Sequence, residues 1–288
     1  MNYRHSYHAG NFADVFKHLL LTRALVYLNK KPKPYMVMDT HGGIGRYNLS
    51  GEEAQKTQEF EQGILRLLEA QDLPAFTDDF VACVKQLNAD SAPSDITQYP
   101  GSPWLSQALM RAGDRLIVCE LHRDDATTLK TNLAPLKTQA KLEVLAPQDG
   151  YQALSAKLPP REKRGLVLID PPFEQTDEYD QVVTALNAAL KRWQSGSYAV
   201  WFPIKDPVKT AAFYDNVAAL ENVPKTLLIE LMIRTPDEAS GLSGCGFVWL
   251  NPPFGVVNEL DQILPFLQNL LGQSAGASAS CRWLVEES

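Results

Sequence analysis

The sequence predicts an α/β fold, a mostly parallel seven-stranded sheet with an inserted helical subdomain. Three observations lead there. Short aliphatic runs alternate with helical patterns from residue 99 onward, residues 47–98 carry helical patterns without a strand signal, and carboxylates Glu120, Asp149 and Asp170 follow three successive strands. Ligands of open α/β sheets bind beyond the carboxyl ends of the strands. Three acids placed there point to a cofactor carrying a nucleoside, whose hydroxyls and ring amine need acceptors.

In chain order, Asn11 is a good N-cap and Asp14 falls in the first turn of the helix it starts. Phe12, Val15, Phe16, Leu19 and Leu20 give that helix an apolar stripe, and it runs to about Leu28, before Lys30-Lys-Pro-Lys-Pro34. Asp14 and His18 share a face. His5, His8, His18 and Asp39 could be drawn together around a metal, but their spacing matches no ligand pattern, and no metal is expected. On residues alone His5 and His8 read equally as part of a solvated tail. Tyr35–Asp39 is a short buried strand, followed by Thr40-His-Gly-Gly-Ile-Gly45, whose glycines allow close backbone approach to a ligand.

Helices are expected over Glu52–Gln71 and Pro74–Ala89, as a structural cover or as an RNA contact. Tyr99-Pro-Gly-Ser-Pro103 is a turn in which Ser102 could cap a helix over Trp104–Ala112. Strand 115–121 ends near Glu120. Helix 124–133, strand 141–145, Asp149-Gly150, helix 151–158, the strand leading to Asp170, helix 178–194, strand 198–204, helix 207–220 and strands 226–233 and 246–250 complete the alternation.

Gly165-Leu-Val-Leu-Ile-Asp-Pro-Pro-Phe173 is the stretch with the clearest chemistry. Its aliphatic run without alternation suits a strand buried on both faces. Two prolines after Asp170 cannot continue a ladder and hold an extended elbow. An exocyclic amine on a flat ring is a poor nucleophile, because its lone pair is delocalised. Asp170 and the Pro171 carbonyl could accept its N–H bonds, while Phe173 stacks on the ring for about 1–3 kcal/mol. Asn251-Pro-Pro-Phe254 repeats the pattern, but it follows what reads as the last strand of the sheet. Asp170 follows the fourth strand, after the cofactor-binding turns, and is preferred.

With 288 residues and 45% apolar content the chain suffices for one large domain with an insertion. No apolar run approaches the roughly 20 residues of a membrane span, and the N-terminus lacks a signal peptide's apolar core. The four cysteines lack metal or redox spacing and read as reduced thiols. A soluble, cytoplasmic protein is expected. Net charge is −7, yet residues 1–46 hold seven Lys/Arg against two Asp, a basic lobe that suits phosphate contact.

Several motifs together resemble one family. Tyr-Arg-His-Ser-Tyr-His-Ala-Gly-Asn at 3–11, Ala-Asp-Val-Phe-Lys-His at 13–18, Asp-Thr-His-Gly-Gly-Ile-Gly-Arg-Tyr at 39–47, Tyr-Pro-Gly-Ser-Pro at 99–103 and Asp-Pro-Pro-Phe at 170–173 are similar to the bacterial 23S ribosomal RNA adenine-N6 methyltransferases. The resemblance implies a Rossmann-like class I methyltransferase core split as 1–46 and 99–288, with 47–98 as the helical insertion. It further implies a monomer acting on one adenine of 23S ribosomal RNA with S-adenosyl-L-methionine. The cofactor would lie against His18, His41, Ser102, Glu120, Asp149, Gly150 and Asp170. Asp170, Pro171 and Phe173 would be catalytic. Tyr3, Arg4 and His5 would contact the RNA, closing the tail over the site. Phe173 departs from the Tyr of the family pattern, which keeps the stacking and loses the hydroxyl. A DNA adenine-N6 methyltransferase, a protein glutamine-N5 methyltransferase using Asn251, and a non-catalytic RNA-binding scaffold are the alternatives.

Overall fold

Aliphatic runs of five to eight residues, buried on both faces, place the strands at the centre of the molecule. The computed structural model describes residues 4–89, 91–92, 95–136, 140–236 and 242–286. Its strands are Met36–Asp39 (β1), Arg46–Asn48 (β2), Gln98–Pro100 (β3), Arg115–Cys119 (β4), Lys141–Leu145 (β5), Gly165–Ile169 (β6), Ser197–Ile204 (β7), Thr226–Met232 (β8), Gly244–Leu250 (β9) and Ser278–Val285 (β10). Its helices are Phe12–Asn29 (α1), Glu52–Thr57 (α2), Ile64–Glu69 (α3), Asp78–Leu87 (α4), Ser102–Leu109 (α5), Arg123–Leu133 (α6), Gly150–Lys157 (α7), Glu178–Arg192 (α8), Pro207–Ala218 (α9), Phe254–Val257 (α10) and Leu260–Leu271 (α11).

The main sheet has eight strands, ordered β10-β8-β9-β7-β6-β1-β4-β5, where seven were expected. The added strand is β10. Its residues are largely exposed, so it lacks the aliphatic run that marks the others. β1 pairs in parallel with β4 and β6, β4 with β5, and β6 with β7, whereas β7/β9, β8/β9 and β10/β8 are antiparallel. From β1 the chain builds outward through β4 and β5, then returns to build the other way from β6. The order reverses between β1 and β6, the place where such sheets open a ligand crevice.

β6 is buried at every position, and apolar clusters cover both faces of the sheet. α1 packs against α5, α10 and α4. Asn11 caps it as expected, its Oδ1 accepting from the Asp14 amide at 2.9 Å.

Between β1 and β4 the short ribbon β2/β3, pairing Tyr47 with Tyr99, brings the ends of the 47–98 stretch together. Three residues per strand are too few to show a period in the sequence. The two long helices expected within 47–98 are broken into short pieces. Gly63 marks one break. A Cβ there would lie 2.1 Å from the Gly10 carbonyl oxygen, and the next amide, Ile64, donates to that oxygen at 2.8 Å. Backbone meets backbone at this point, which only glycine permits.

Candidate active site

A cavity of about 880 Å³ opens beyond the carboxyl ends of β1, β4 and β6. Its lining includes His18, His41, Ser102, Glu120, Asp149 and Gly150 from the expected cofactor set, and Asp170 and Pro171 from the elbow. Arg4 and His5 of the tail line it too, while Tyr3 lies outside the described residues. The sheet explains this gathering. Asp39 ends β1 and Asp170 follows β6, the two parallel strands that flank the switch point, and Glu120 follows β4 beside β1.

Asp170 is held by a lysine that the sequence reading passed over. Lys17 Nζ lies 2.6 Å from Asp170 Oδ2 and 2.9 Å from Asp14 Oδ1, with only 6% of its side chain exposed. His5 Nε2 lies 2.9 Å from Asp14 Oδ2, which also accepts from the Gly10 amide. Burial opposes charge on both Asp14 and Lys17. Their mutual attraction, with His5 and Asp170, wins: Asp14 is held well below the usual carboxylate range and Lys17 well above the usual lysine range. A buried chain His5–Asp14–Lys17–Asp170 thus joins tail, first helix and elbow. The signal available in the sequence was a lysine three residues after Asp14, inside an apolar helix.

The cofactor-side groups are each tied down. Ser102 does not cap α5, whose N-cap is Gly101 without a side-chain bond. Its hydroxyl instead donates to Asp39 Oδ2 at 2.7 Å, while Oδ1 accepts from the His41 amide. Glu120 Oε1 accepts from the His122 amide at 2.8 Å, and burial raises its pKa against the help of the His122 and Gly43 amides. Asp149 caps α7, its Oδ1 accepting from Tyr151 and Gln152 amides. A Cβ on Gly150 would lie 2.1 Å from the Thr40 carbonyl, so this turn packs directly on the end of β1. His41 Nδ1 is 2.8 Å from the Thr40 hydroxyl and its ring meets Tyr151 edge-on, whose hydroxyl donates to Glu178. Tyr151 and Glu178 line the cavity and were not anticipated.

Two expectations fail on geometry. Phe173 is not among the cavity-lining residues. It sits at φ 49° with its ring 4.8 Å from that of Tyr179 and 6.1 Å from that of Trp201, packed into the core below the elbow. The aromatic side chain that borders the cavity beside Asp170 is Trp201, over which Lys17 Nζ lies 5.8 Å from the ring centroid. β9 is also not the last strand, since it lies between β7 and β8 with β10 beyond. Its antiparallel register sets Leu250 against Tyr198, so Asn251 lies at the edge where β7 begins, opposite Asp170 and roughly a strand length (~16 Å) away. Its side-chain amide donates to the Gln194 and Gly196 carbonyls. Asn251→Ala is expected to lower stability by about 1–3 kcal/mol and leave turnover unchanged, as urea unfolding beside initial rates will test.

The histidines do not form a metal cluster. His18 Nδ1 is 2.8 Å from the Tyr99 hydroxyl, and His8 pairs with Glu59. No group of three or more His, Cys, Asp or Glu among the described residues is arranged to hold a metal ion. The four cysteines are free thiols. Among the described residues no helix is long and apolar enough to cross a membrane.

Burial pushes His18 down to about 3 and His41 to about 4, the latter against the pull of Asp170 and Asp149. Both stay neutral in the native state while the unfolded chain takes protons near pH 6.5. Their stability contribution is present above pH 6.5 and is lost as pH falls toward 4. Asp39, raised to about 6 by burial, works the other way as pH falls from about 6 to 4. His8, raised chiefly by its hydrogen bond to Glu59, adds stability that is present below about pH 6.5 and is lost as pH rises through its raised value. The His18 and His41 imidazoles against the Asp39 carboxyl leave a net loss on the order of 2 kcal/mol between pH 7 and pH 5. Urea unfolding at the two pH values measures it.

An open α/β sheet with a glycine turn, a strand-end carboxylate and an Asp-Pro-Pro elbow in one crevice defines a methyltransferase of the Rossmann-like type. The particular family follows from comparison with known proteins. Residues 32–285 match the family model described as ribosomal RNA large subunit methyltransferase D, RlmJ, and the chain belongs to this family. It is similar to ribosomal RNA large subunit methyltransferase J of Haemophilus influenzae, 38% identical over the whole of both chains, and to that of Escherichia coli, 36% identical over the same span. A crystal structure of a Legionella pneumophila protein superposes with a TM-score of 0.84 at 34% identity, covering 96% of this chain and 98% of that one.

Proposed function

We propose that the protein transfers a methyl group from S-adenosyl-L-methionine to the N6 amine of an adenine in 23S ribosomal RNA, acting as a monomer in the cytoplasm. The observation that carries this reading is the opening of the Asp170-Pro171 elbow into the same crevice as the glycine turn and Glu120. Family membership supports the RNA substrate.

The residues present fit the cofactor. Eight carboxylates line the cavity against four Lys or Arg side chains, an imbalance that suits a ligand with cationic sulfur and ammonium groups. Glu120, buried beside Gly43, supplies an acceptor for ribose hydroxyls, and Asp149 one for the ring amine. Ser102 acts through Asp39, fixing the start of the glycine turn. The cavity lies within the size range of small-molecule sites. Bound S-adenosyl-L-methionine supplies a methyl group on positively charged sulfur, an electrophile for a single displacement.

The chain's own part is to present the amine. Lys17 occupies Asp170 Oδ2 and fixes the carboxylate, leaving Oδ1 to accept one N–H of the adenine amine. The Pro171 carbonyl accepts the other. Holding both N–H bonds turns the nitrogen lone pair out of conjugation and toward the methyl donor. Trp201, rather than Phe173, offers the aromatic surface for the base, and Phe173 supports it from behind. The extra proton of the alkylated amine leaves along the hydrogen bond to Asp170. Oriented systems of this kind gain up to ~7–11 kcal/mol from positioning.

Labelled S-adenosyl-L-methionine offered to naked large-subunit RNA, assembled subunits, DNA and protein tests the reading. Label in RNA supports it. Label confined to DNA or protein, or no uptake of cofactor by calorimetry, overturns it. The placement of Asn251 at the far edge of the sheet already speaks against a protein glutamine reaction there.

A further inference from the structure

Segment 4–11 is fastened to the helical insertion along its length. Arg4 pairs with Glu53 at 3.5 Å, the Thr57 hydroxyl donates to the Tyr7 carbonyl, and the Ile64 amide donates to the Gly10 carbonyl at 2.8 Å. The centre of this seam is one carboxylate. Both oxygens of Glu59 lie 3.0 Å from His8 Nδ1, and its Oε2 also accepts from the Asn11 side-chain amide at 2.9 Å. Asn11 uses its other end to cap α1, the helix that carries Asp14 and Lys17. His5, on the same segment, reaches Asp14. Glu59 therefore sits one residue away from the ion-pair chain that ends on Asp170. Arg4, His5, His8, Gln58 and Glu59 all line the cavity.

We propose that Glu59 is a positioning residue that clasps His8 and Asn11, and that the helical insertion serves the reaction by orienting segment 4–11 beside the cavity. A charged acceptor shared by two donors makes a stronger link than neutral hydrogen bonds would. Gly63 adds a point where only bare backbone fits, so the seam has one register.

The link is pH-dependent. Burial works against ionisation of Glu59, but hydrogen bonds from His8 and Asn11 bring it below its ordinary range. His8 is raised chiefly by its hydrogen bond to Glu59, with Asp14 adding to the effect and burial and Lys205 opposing it. The clasp is tightest while His8 is protonated and Glu59 ionised. It loosens as pH rises through the raised His8 value or falls below that of Glu59.

The inference rests on the methyl-transfer reading for its kinetic test but not for its structural one. Hydrogen exchange at the amides of residues 7–11, pH–rate profiles and melting temperatures are to be compared for wild type, Glu59→Gln, Glu59→Ala, His8→Ala and the His8→Ala/Glu59→Ala double variant. In Glu59→Ala, exchange of these amides should speed up and kcat should fall, each on the order of tenfold, with little change in melting temperature. Glu59→Gln should move the alkaline limb of the pH–rate profile to lower pH, which a merely structural role would not do. The double variant should be no worse than the worse single. Wild-type exchange and rate in Glu59→Ala, or losses that add in the double variant, would overturn the clasp. Should wild type transfer no methyl group to RNA, that reading falls, and exchange alone still decides for or against the clasp.

Discussion

Asp170→Ala and Asp170→Asn are expected to lose methyl transfer by at least ~10³-fold while S-adenosyl-L-methionine binding changes by less than about threefold. The separation comes from what the carboxylate does. In the proposed reading it accepts an N–H of the substrate amine, so its loss would weaken what holds the reacting nitrogen in line. In the same reading the cofactor's ribose and ring would lean on Glu120 and Asp149, which neither change touches. Asparagine preserves shape but turns one acceptor into a donor, and it leaves Lys17 with Asp14 alone. Initial rates with tritiated donor, beside calorimetric titration of the same preparations, check both halves. Activity within threefold of wild type would remove Asp170 from the chemistry.

Lys17→Met is expected to have the largest effect on stability, about 3–5 kcal/mol, together with loss of activity. Methionine matches the lysine in length but leaves Asp14, 1% exposed, facing Asp170 without the cation between them. Asp14 keeps His5, but two buried carboxylates facing each other without Lys17 favour protonation of one of them, so the loss should be smaller at pH 5 than at pH 7. Adding Asp14→Asn should return much of the stability by removing one stranded charge. It should not return activity, because Asp170 would still lack its anchor. Urea unfolding of the single and double variants at the two pH values measures this. A Lys17→Met protein as stable as wild type would mean that the ion-pair chain does not hold tail, helix and elbow together.

Much of the fold was legible because buried parallel strands announce themselves. The stretch 165–169 has no alternation and no polar residue, and it is β6. β10 escaped because an edge strand with exposed residues has little apolar signal, and β2 and β3 because three residues show no period. In the site, Glu120, Asp149 and Asp170, singled out by strand order and strand-end position, line one cavity. What was not legible is long-range pairing. Nothing near Lys17 in the chain marks it as the partner of a residue 153 positions away. Nothing in Pro-Pro-Phe reveals that φ 49° turns Phe173 into the core while Trp201, on the next strand β7, takes the wall. The choice of Asp170 over Asn251 rested on order along the chain. The structure gives a firmer reason, since β6 and β9 run in opposite directions and put their Pro-Pro elbows at opposite edges of the sheet.

The most direct measurement is the identity of the methylated nucleoside. 23S ribosomal RNA labelled by wild type from S-adenosyl-L-methionine is digested to nucleosides, separated and weighed by mass spectrometry, with Asp170→Asn treated alongside. Label in N6-methyladenosine from wild type, and none from the variant, is the expected result. Label in a ribose methyl, in a ring-carbon methyl, or in N6-methyladenosine from both proteins alike would contradict the role given to the Asp170 elbow.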